Sequence, residues 1–124
     1  MTAGYRHDEP VALTCPDCGG ALRRTELGTL TQFRCHIGHV YTAEVMAEAQ
    51  FASLEWTLAA ALRSLSERRE LCRQMGDKAR SAGDAGTAAR WEAAVREAEE
   101  RSGVLRQLLE TGWTQPGEPM PASG

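Results

Sequence analysis

Lysine is almost missing from this chain. Only Lys78 among its 14 basic residues is a lysine, and 17 acidic residues leave a formal net charge of −3 and a pI of about 5.6. Surfaces that bind nucleic acid in general are usually strongly basic. The balance of charge therefore argues against a general nucleic-acid-binding protein.

Long apolar runs are missing as well. The sequence has no stretch of about 18 apolar residues, the length that a membrane-spanning helix requires. Its first residues, MTAGYRHDEP, lack the charged and then apolar pattern of a secretory signal. We therefore expect a cytoplasmic protein with no membrane partner. In that reducing compartment, the four cysteines are expected to bind metal rather than to form disulfides.

Several catalytic patterns are also missing. The chain contains no glycine-rich phosphate loop, no Ser–His–Asp arrangement and no pair of inward-facing carboxylates. We predict that it is not an enzyme, and that it has neither catalytic residues nor a site for an organic cofactor.

What the sequence does contain is a pair of short turn-forming clusters. The first reads CPDCG and begins at Cys15; the second reads CHIGH and begins at Cys35. Turns of this composition present thiolates and imidazoles to one tetrahedral Zn²⁺ ion, and the glycines tolerate positive φ. We predict one structural Zn²⁺ per chain. Its predicted ligands are Cys15, Cys18, Cys35 and His39, with His36 as the second choice for the fourth ligand.

Three other uses of the cysteines are less favoured. A redox Cys-x-x-Cys pair normally opens a helix beside a βαβ unit, and the Gly19-Gly20 pair does not open one. An iron site of rubredoxin type requires four thiolates, whereas Cys72 lies far away in a predicted helix. A catalytic zinc needs an open position, which four protein ligands would close. We interpret Cys72 as a small core residue.

The N-terminal third of the chain is predicted to form an arm and a ribbon. Residues 1–10 are expected to be a flexible arm, and residues 11–41 a zinc ribbon. The ribbon is expected to have short strands at 11–14, 21–25 and 30–34. Strands this short require a staple such as a metal ion.

The remainder is predicted to be an antiparallel helical hairpin over residues 42–112. Thr42 is expected to cap a helix over about 43–82, and Thr87 to cap a second helix over about 87–111. Residues 113–124 have the composition of a disordered tail. The predicted fold class is therefore α+β and mostly α.

Both predicted helices carry a stripe with the heptad spacing that faces a partner helix. The first stripe is Leu54, Leu58, Ala61, Leu65, Arg68, Cys72 and Met75. The second is Ala88, Trp91, Val95, Ala98, Ser102, Leu105 and Leu109. A short loop makes the two helices antiparallel neighbours, with Met75 near Val95, Cys72 near Ala98 and Leu65 near Leu105. Because this seam is rich in small residues, a homodimer through the hairpin is a further hypothesis.

The ribbon segment resembles a known family. The strings CPDCGGAL, from Cys15, and FRCHIGHVY, from Phe33, resemble the zinc-ribbon tail of bacterial CheB-type chemotaxis protein-glutamate methylesterases. A long helical hairpin follows the ribbon in those tails too, so the resemblance covers about residues 13–110. It implies the same four metal ligands and an accessory role near a signalling system. The esterase domain of that family does not occur in this sequence, so methylesterase activity is not implied.

These features predict a non-catalytic zinc-binding module that binds another protein through its hairpin. The alternative is a nucleic-acid-binding accessory protein whose basic patch lies beside Tyr41 or Phe33. That patch would consist of Arg23, Arg24, Arg34 and His36. Arg34 and Arg24 are also expected to compensate the negative charge of the thiolate site. The acidity of the chain argues against the alternative.

Overall fold

The computed structural model describes residues 7–117 and confirms the predicted fold class: a small antiparallel sheet precedes two helices. The strands are β1 (His7–Thr14), β2 (Ala21–Leu27), β3 (Leu30–Cys35) and β4 (Val40–Thr42), and the helices are α1 (Ala43–Ser81) and α2 (Ala85–Glu110). Two compact units result. The first contains the described residues up to Leu54 together with 114–117, and the second contains Glu55–Trp113.

The sheet is a meander in the order β1-β2-β3-β4. The sheet differs from the sequence-based prediction at both of its edges. Residues 7–10, which we expected in the arm, belong to β1. Pro10 does not prevent this, because β1 is an edge strand and its outer side has no neighbouring strand that requires an N–H donor. The segment Val40–Thr42, which we did not predict as a strand, pairs with β3 as β4. Residues 1–6 of the predicted arm lie outside the described residues.

The turn between β2 and β3 is tighter than expected. Both strands extend until Leu27 faces Leu30, so only Gly28 and Thr29 connect them. Gly28 has a φ of 64°, in the left-handed region that two-residue hairpin turns require. This turn fixes the register of β2 against β3, and with it the position of Cys35 opposite Leu22.

The core of the first unit is very small. Its buried members are Cys15, Leu22, Cys35, Tyr41 and Met46, with Val11, Leu13 and Phe33 packed at the margin. Two of the five are predicted metal ligands. A core of this size is expected to need a cross-link, such as a bound metal ion, to offset the conformational entropy that the chain loses on folding.

The first helix begins where the sequence predicts. The Thr42 hydroxyl accepts a hydrogen bond from the Val45 N–H at 3.3 Å, and Glu44 lies in the first turn, where its charge suits the helix dipole. The helix ends at Ser81, followed by Gly83 with a φ of 77°.

The second helix begins two residues earlier than predicted, because its N-cap is Asp84 and not Thr87. The Asp84 carboxylate accepts hydrogen bonds from the Thr87 N–H at 3.0 Å and from the Thr87 hydroxyl at 2.7 Å. Aspartate is among the best N-cap residues, and its charge suits the N-terminal end of a helix. Thr87 is therefore a donor inside the first turn.

The second unit is the predicted antiparallel hairpin. All seven stripe residues of α2 are buried or half-buried, and Ala88, Ala98 and Ser102 are buried most deeply. On α1, Cys72 is buried as predicted, whereas Leu54 and Arg68 are exposed. Cross-helix ion pairs support the antiparallel register: Arg80 with Glu92 at 2.7 Å and Arg69 with Glu99 at 2.8 Å.

The segment after α2 is partly ordered where we expected a disordered tail. The Trp113 indole N–H donates to the Leu108 carbonyl at 2.9 Å. In the first unit, a Cβ placed on Gly117 would lie 3.3 Å from the Cβ of Glu44, so this glycine packs against the start of α1. The rest of the predicted tail lies outside the described residues. Within 7–117, neither helix has the apolar stretch needed to cross a membrane.

Substitution of Ala88 by leucine tests the close contact of the two helices. Ala88 is 0% exposed and its carbonyl lies near Gly76 of α1, so a larger side chain must force the helices apart. We expect Ala88→Leu to lower the free energy of unfolding by about 1–3 kcal/mol, measured by urea denaturation. Ala89→Leu is the matched control, because Ala89 is exposed on the same turn. Equal stability of the two variants would contradict the packing described here.

The Asp84 cap predicts a specific dependence on pH. Hydrogen bonds from the Thr87 N–H and hydroxyl lower the pKa of Asp84, so the folded state favours the charged carboxylate. This stabilisation is present above the ordinary aspartate pKa of about 3.9 and is lost as the pH falls further, through the lowered value. Asp84→Asn keeps an acceptor that does not titrate. Thermal denaturation of wild type and Asp84→Asn should show a constant difference in stability near neutral pH. In acid, wild type should lose stability relative to Asp84→Asn. A difference that does not change with pH would disprove the assignment of the cap.

Candidate metal centre

The first cluster forms a tight knuckle directly after β1. The Gly19 N–H donates to the Cys15 carbonyl at 2.9 Å, and the Cys15 N–H donates to the Gly20 carbonyl at 2.7 Å. Gly19 has a φ of 75°, as its predicted role in the turn requires. The knuckle thereby turns Cys18 back towards Cys15.

The second cluster repeats this arrangement after β3. The Gly38 N–H donates to the Cys35 carbonyl, and the Cys35 N–H to the His39 carbonyl, both at 3.1 Å. Gly38 has a φ of 111°. Each knuckle thus begins at a buried cysteine at a strand end and presents a second metal-binding side chain three or four residues later.

The structure brings the four predicted ligands together. One ligand atom from each of Cys15, Cys18, Cys35 and His39 lies within 4.8 Å of all the others. The Nδ1 atom of His39 is 3.5 Å from the Cys15 sulfur and 3.3 Å from the Cys35 sulfur. A tetrahedral Zn²⁺ with bond lengths of about 2.3 Å to sulfur and 2.0–2.1 Å to nitrogen places such atoms about 3.6 Å apart. The group therefore fits a metal ion of this size.

His36, the second choice for the fourth ligand, lies outside this group. Its ring is exposed and lies over Gly20, where an added Cβ would come within 3.1 Å of the His36 Nδ1 and 3.3 Å of the Cys18 sulfur. The absence of a side chain at Gly20 therefore lets this ring approach the first knuckle. Cys72, buried in the hairpin, is also not part of the group.

Two residues that we did not predict, Tyr41 and Asp17, support the first knuckle. The Tyr41 hydroxyl lies 3.3 Å from the Cys15 sulfur and donates a hydrogen bond to the Asp17 carboxylate. Tyr41 is two residues after His39, and alternate residues of an extended segment project to the same side. That spacing is the sequence signal from which its position could have been inferred.

Hydrogen bonds favour the thiolate form of the two buried cysteines. Burial by itself raises the pKa of Cys15, but the contact with the Tyr41 hydroxyl and hydrogen bonds from the backbone N–H groups of the turn lower it to about 6. Burial also opposes ionisation of Cys35, yet the N–H groups of the second knuckle lower its pKa, and the His39 N–H lies 3.3 Å from its sulfur. Cysteine binds metal as the thiolate, so the lowered pKa values of Cys15 and Cys35 favour metal binding.

The other two ligand side chains respond to these thiolates. A hydrogen bond from the Gly20 backbone favours the Cys18 thiolate, but burial and the neighbouring cysteines outweigh it, and the pKa of Cys18 is raised. Contacts with the Cys15 and Cys35 sulfurs raise the pKa of His39. In a cluster without metal, negative charge already present thus opposes a third thiolate and favours a proton on the imidazole. A divalent cation at the centre removes both effects.

The expected compensation by arginine is not observed. Arg34 precedes Cys35 in β3, so their side chains project to opposite faces of the sheet. Arg24 forms ion pairs with Glu9 at 2.7 Å and Glu26 at 3.3 Å. Backbone N–H groups, and not arginines, are therefore the donors that stabilise the thiolates.

Searches of protein-family models, curated proteins and solved structures gave no match to this chain. The resemblance to CheB-type methylesterase tails therefore stays a prediction that depends on the two ribbon strings alone.

Tyr41→Phe tests the support of the first knuckle. The change removes only the hydroxyl group between Cys15 and Asp17. Partners of this kind orient metal ligands, and their loss typically weakens metal binding by about 10–100-fold. We expect this decrease in a zinc competition titration against a coloured chelator. Thr31→Val, which removes the hydroxyl bonded to Glu26 elsewhere in the sheet, is the control and should bind zinc as wild type does. Equal affinities of the two variants would rule out this role for Tyr41.

Proposed function

We propose that this chain is a non-catalytic protein-interaction module whose ribbon is held together by one structural Zn²⁺. The proposed ligands are Cys15, Cys18, Cys35 and His39. The convergence of these four side chains within 4.8 Å carries the proposal. Three thiolates and one imidazole are a ligand set typical of structural zinc.

The ligand set also favours a structural role over a catalytic one. Four protein ligands complete a tetrahedral shell, whereas catalytic zinc keeps one position for water or substrate. Cys15 and Cys35 are at the same time core residues of the first unit. A metal ion bound there would connect β1, β3 and both knuckles, which is the staple that so small a core needs.

The hairpin offers the surface for a protein partner. Large apolar side chains project from the outer faces of its helices, among them Trp56, 77% exposed, Leu71 and Val104. Exposed tryptophan is frequent at sites where proteins bind each other. We further propose, from the resemblance of the ribbon to CheB-type tails, that the partner belongs to a signalling system. A second copy of the chain is the simplest alternative partner.

The zinc centre is tested by metal analysis of matched cysteine variants. We expect native mass spectrometry to show one zinc ion per wild-type chain. Cys35→Ser should lose the zinc and the near-ultraviolet signal of the folded ribbon, because metal binding and folding are coupled. Cys72→Ala, a thiol outside the group, should keep both. A Cys35→Ser variant with undiminished zinc and native spectra would refute the site.

The interaction role is tested on zinc-loaded chain. Affinity capture with and without nuclease should return a stoichiometric protein that survives nuclease, and light scattering should show whether a second copy binds instead. Recovery of nucleic acid, or of partners that vanish with nuclease, would favour the alternative function. A metal-dependent turnover would contradict the non-catalytic role.

A further inference from the structure

Two arginines lie directly opposite each other in the sheet. Arg23 of β2 is the register partner of Arg34 of β3, and Val40 of β4 is the next residue in the same row. Register partners in an antiparallel sheet project from the same face, with Cβ atoms about 4.5–5.5 Å apart. Because Cys35 follows Arg34, this face is the one opposite the metal centre.

Neither of these arginines is neutralised by the described part of the chain. Glu9 and Glu26 form ion pairs with Arg24, and among residues 7–117 no ion pair involves Arg23 or Arg34. The Nε atom of Arg34 is buried and has no hydrogen-bond acceptor in the described part of the chain. The Nε of Arg24 also lacks a well-aligned acceptor, but it lies 3.3 Å from a Glu26 oxygen.

This arrangement is unfavourable for the isolated chain. Like charges directly opposite each other destabilise a sheet, and a buried donor without an acceptor adds a desolvation cost. A bound oxyanion would remove the repulsion, since guanidinium groups donate parallel hydrogen bonds to such a group through their exposed nitrogens. The row of Arg23, Arg34 and Val40 is therefore complementary to an anionic group with an apolar neighbour.

We propose that Arg23 and Arg34 bind the carboxylate of an acidic side chain on the protein partner, with Val40 as the adjacent apolar contact. This inference rests on the proposed function and names the chemistry of its partner. Val40 is 44% exposed, so an apolar neighbour of that carboxylate can reach it. The net charge of −3 and the pairing of Arg24 disfavour a phosphate polyanion, which needs a longer basic track.

Binding is tested with short peptides on zinc-loaded, ¹⁵N-labelled chain. The probes are acetyl-Leu-Glu-Leu-amide, the same peptide with Gln in place of Glu, and a single-stranded oligonucleotide. We expect the acidic peptide alone to give a saturable shift of the Arg34 Nε–H resonance. Arg23→Gln and Arg34→Gln should each weaken binding by about tenfold. Arg63→Gln, which removes an exposed arginine of α1, is the control and should bind as wild type does.

Thermal unfolding of the same variants separates binding from a structural role. If the pair serves a partner, Arg23→Gln relieves repulsion and raises the melting temperature at low salt, and the gain shrinks at high salt. A structural role predicts a lower melting temperature instead and would overturn the inference. Absence of saturable binding of the acidic peptide, or tighter arginine-dependent binding of the oligonucleotide, would also overturn it. Zinc content is measured on the same samples, so a failure of the metal centre is distinguishable from a failure of this surface.

Discussion

The first unit depends on the convergence of two turns on one point. Cys15 and Cys35 are buried at the ends of β1 and β3, and each begins a knuckle that returns a second side chain towards the same centre. These sulfurs are at once the core of the sheet and the groups that a metal ion would bind. A metal ion bound there would therefore contribute directly to the stability of this unit, because little other apolar surface is buried there.

The second unit follows a different principle, since it is held by close contact between small residues. Ala88, Ala98 and Ser102 are buried on α2. On α1, Gly76 faces Trp91 closely, because a Cβ placed on Gly76 would lie 3.3 Å from the Trp91 Cβ. Ion pairs along the exposed edges add little energy each, but they are compatible with only one register. Large apolar side chains remain exposed on the outer faces of the helices.

Features set by neighbours in sequence were predictable, and features set by distant residues were missed. The knuckles, the Thr42 cap and the buried stripe of α2 depend on turn chemistry and periodicity, which are local. β4 was missed because three residues have no period and become a strand only by pairing with β3. The start of α2 was misplaced because Asp84 and Thr87 are both good cap residues, and only the hydrogen bonds show which one accepts.

The sequence by itself determined the ligand types, their spacing and the two-helix pattern, because each is encoded within a few consecutive residues. Only the tertiary structure decided that His39 joins the cysteines while His36 lies over Gly20, and that Tyr41 reaches the Cys15 sulfur. The tertiary structure also places Arg23 opposite Arg34 and brings Glu9 into an ion pair with Arg24. The physical reason is register: a shift of one residue moves every side chain of a strand to the other face, and the two-residue turn at Gly28 fixes that choice.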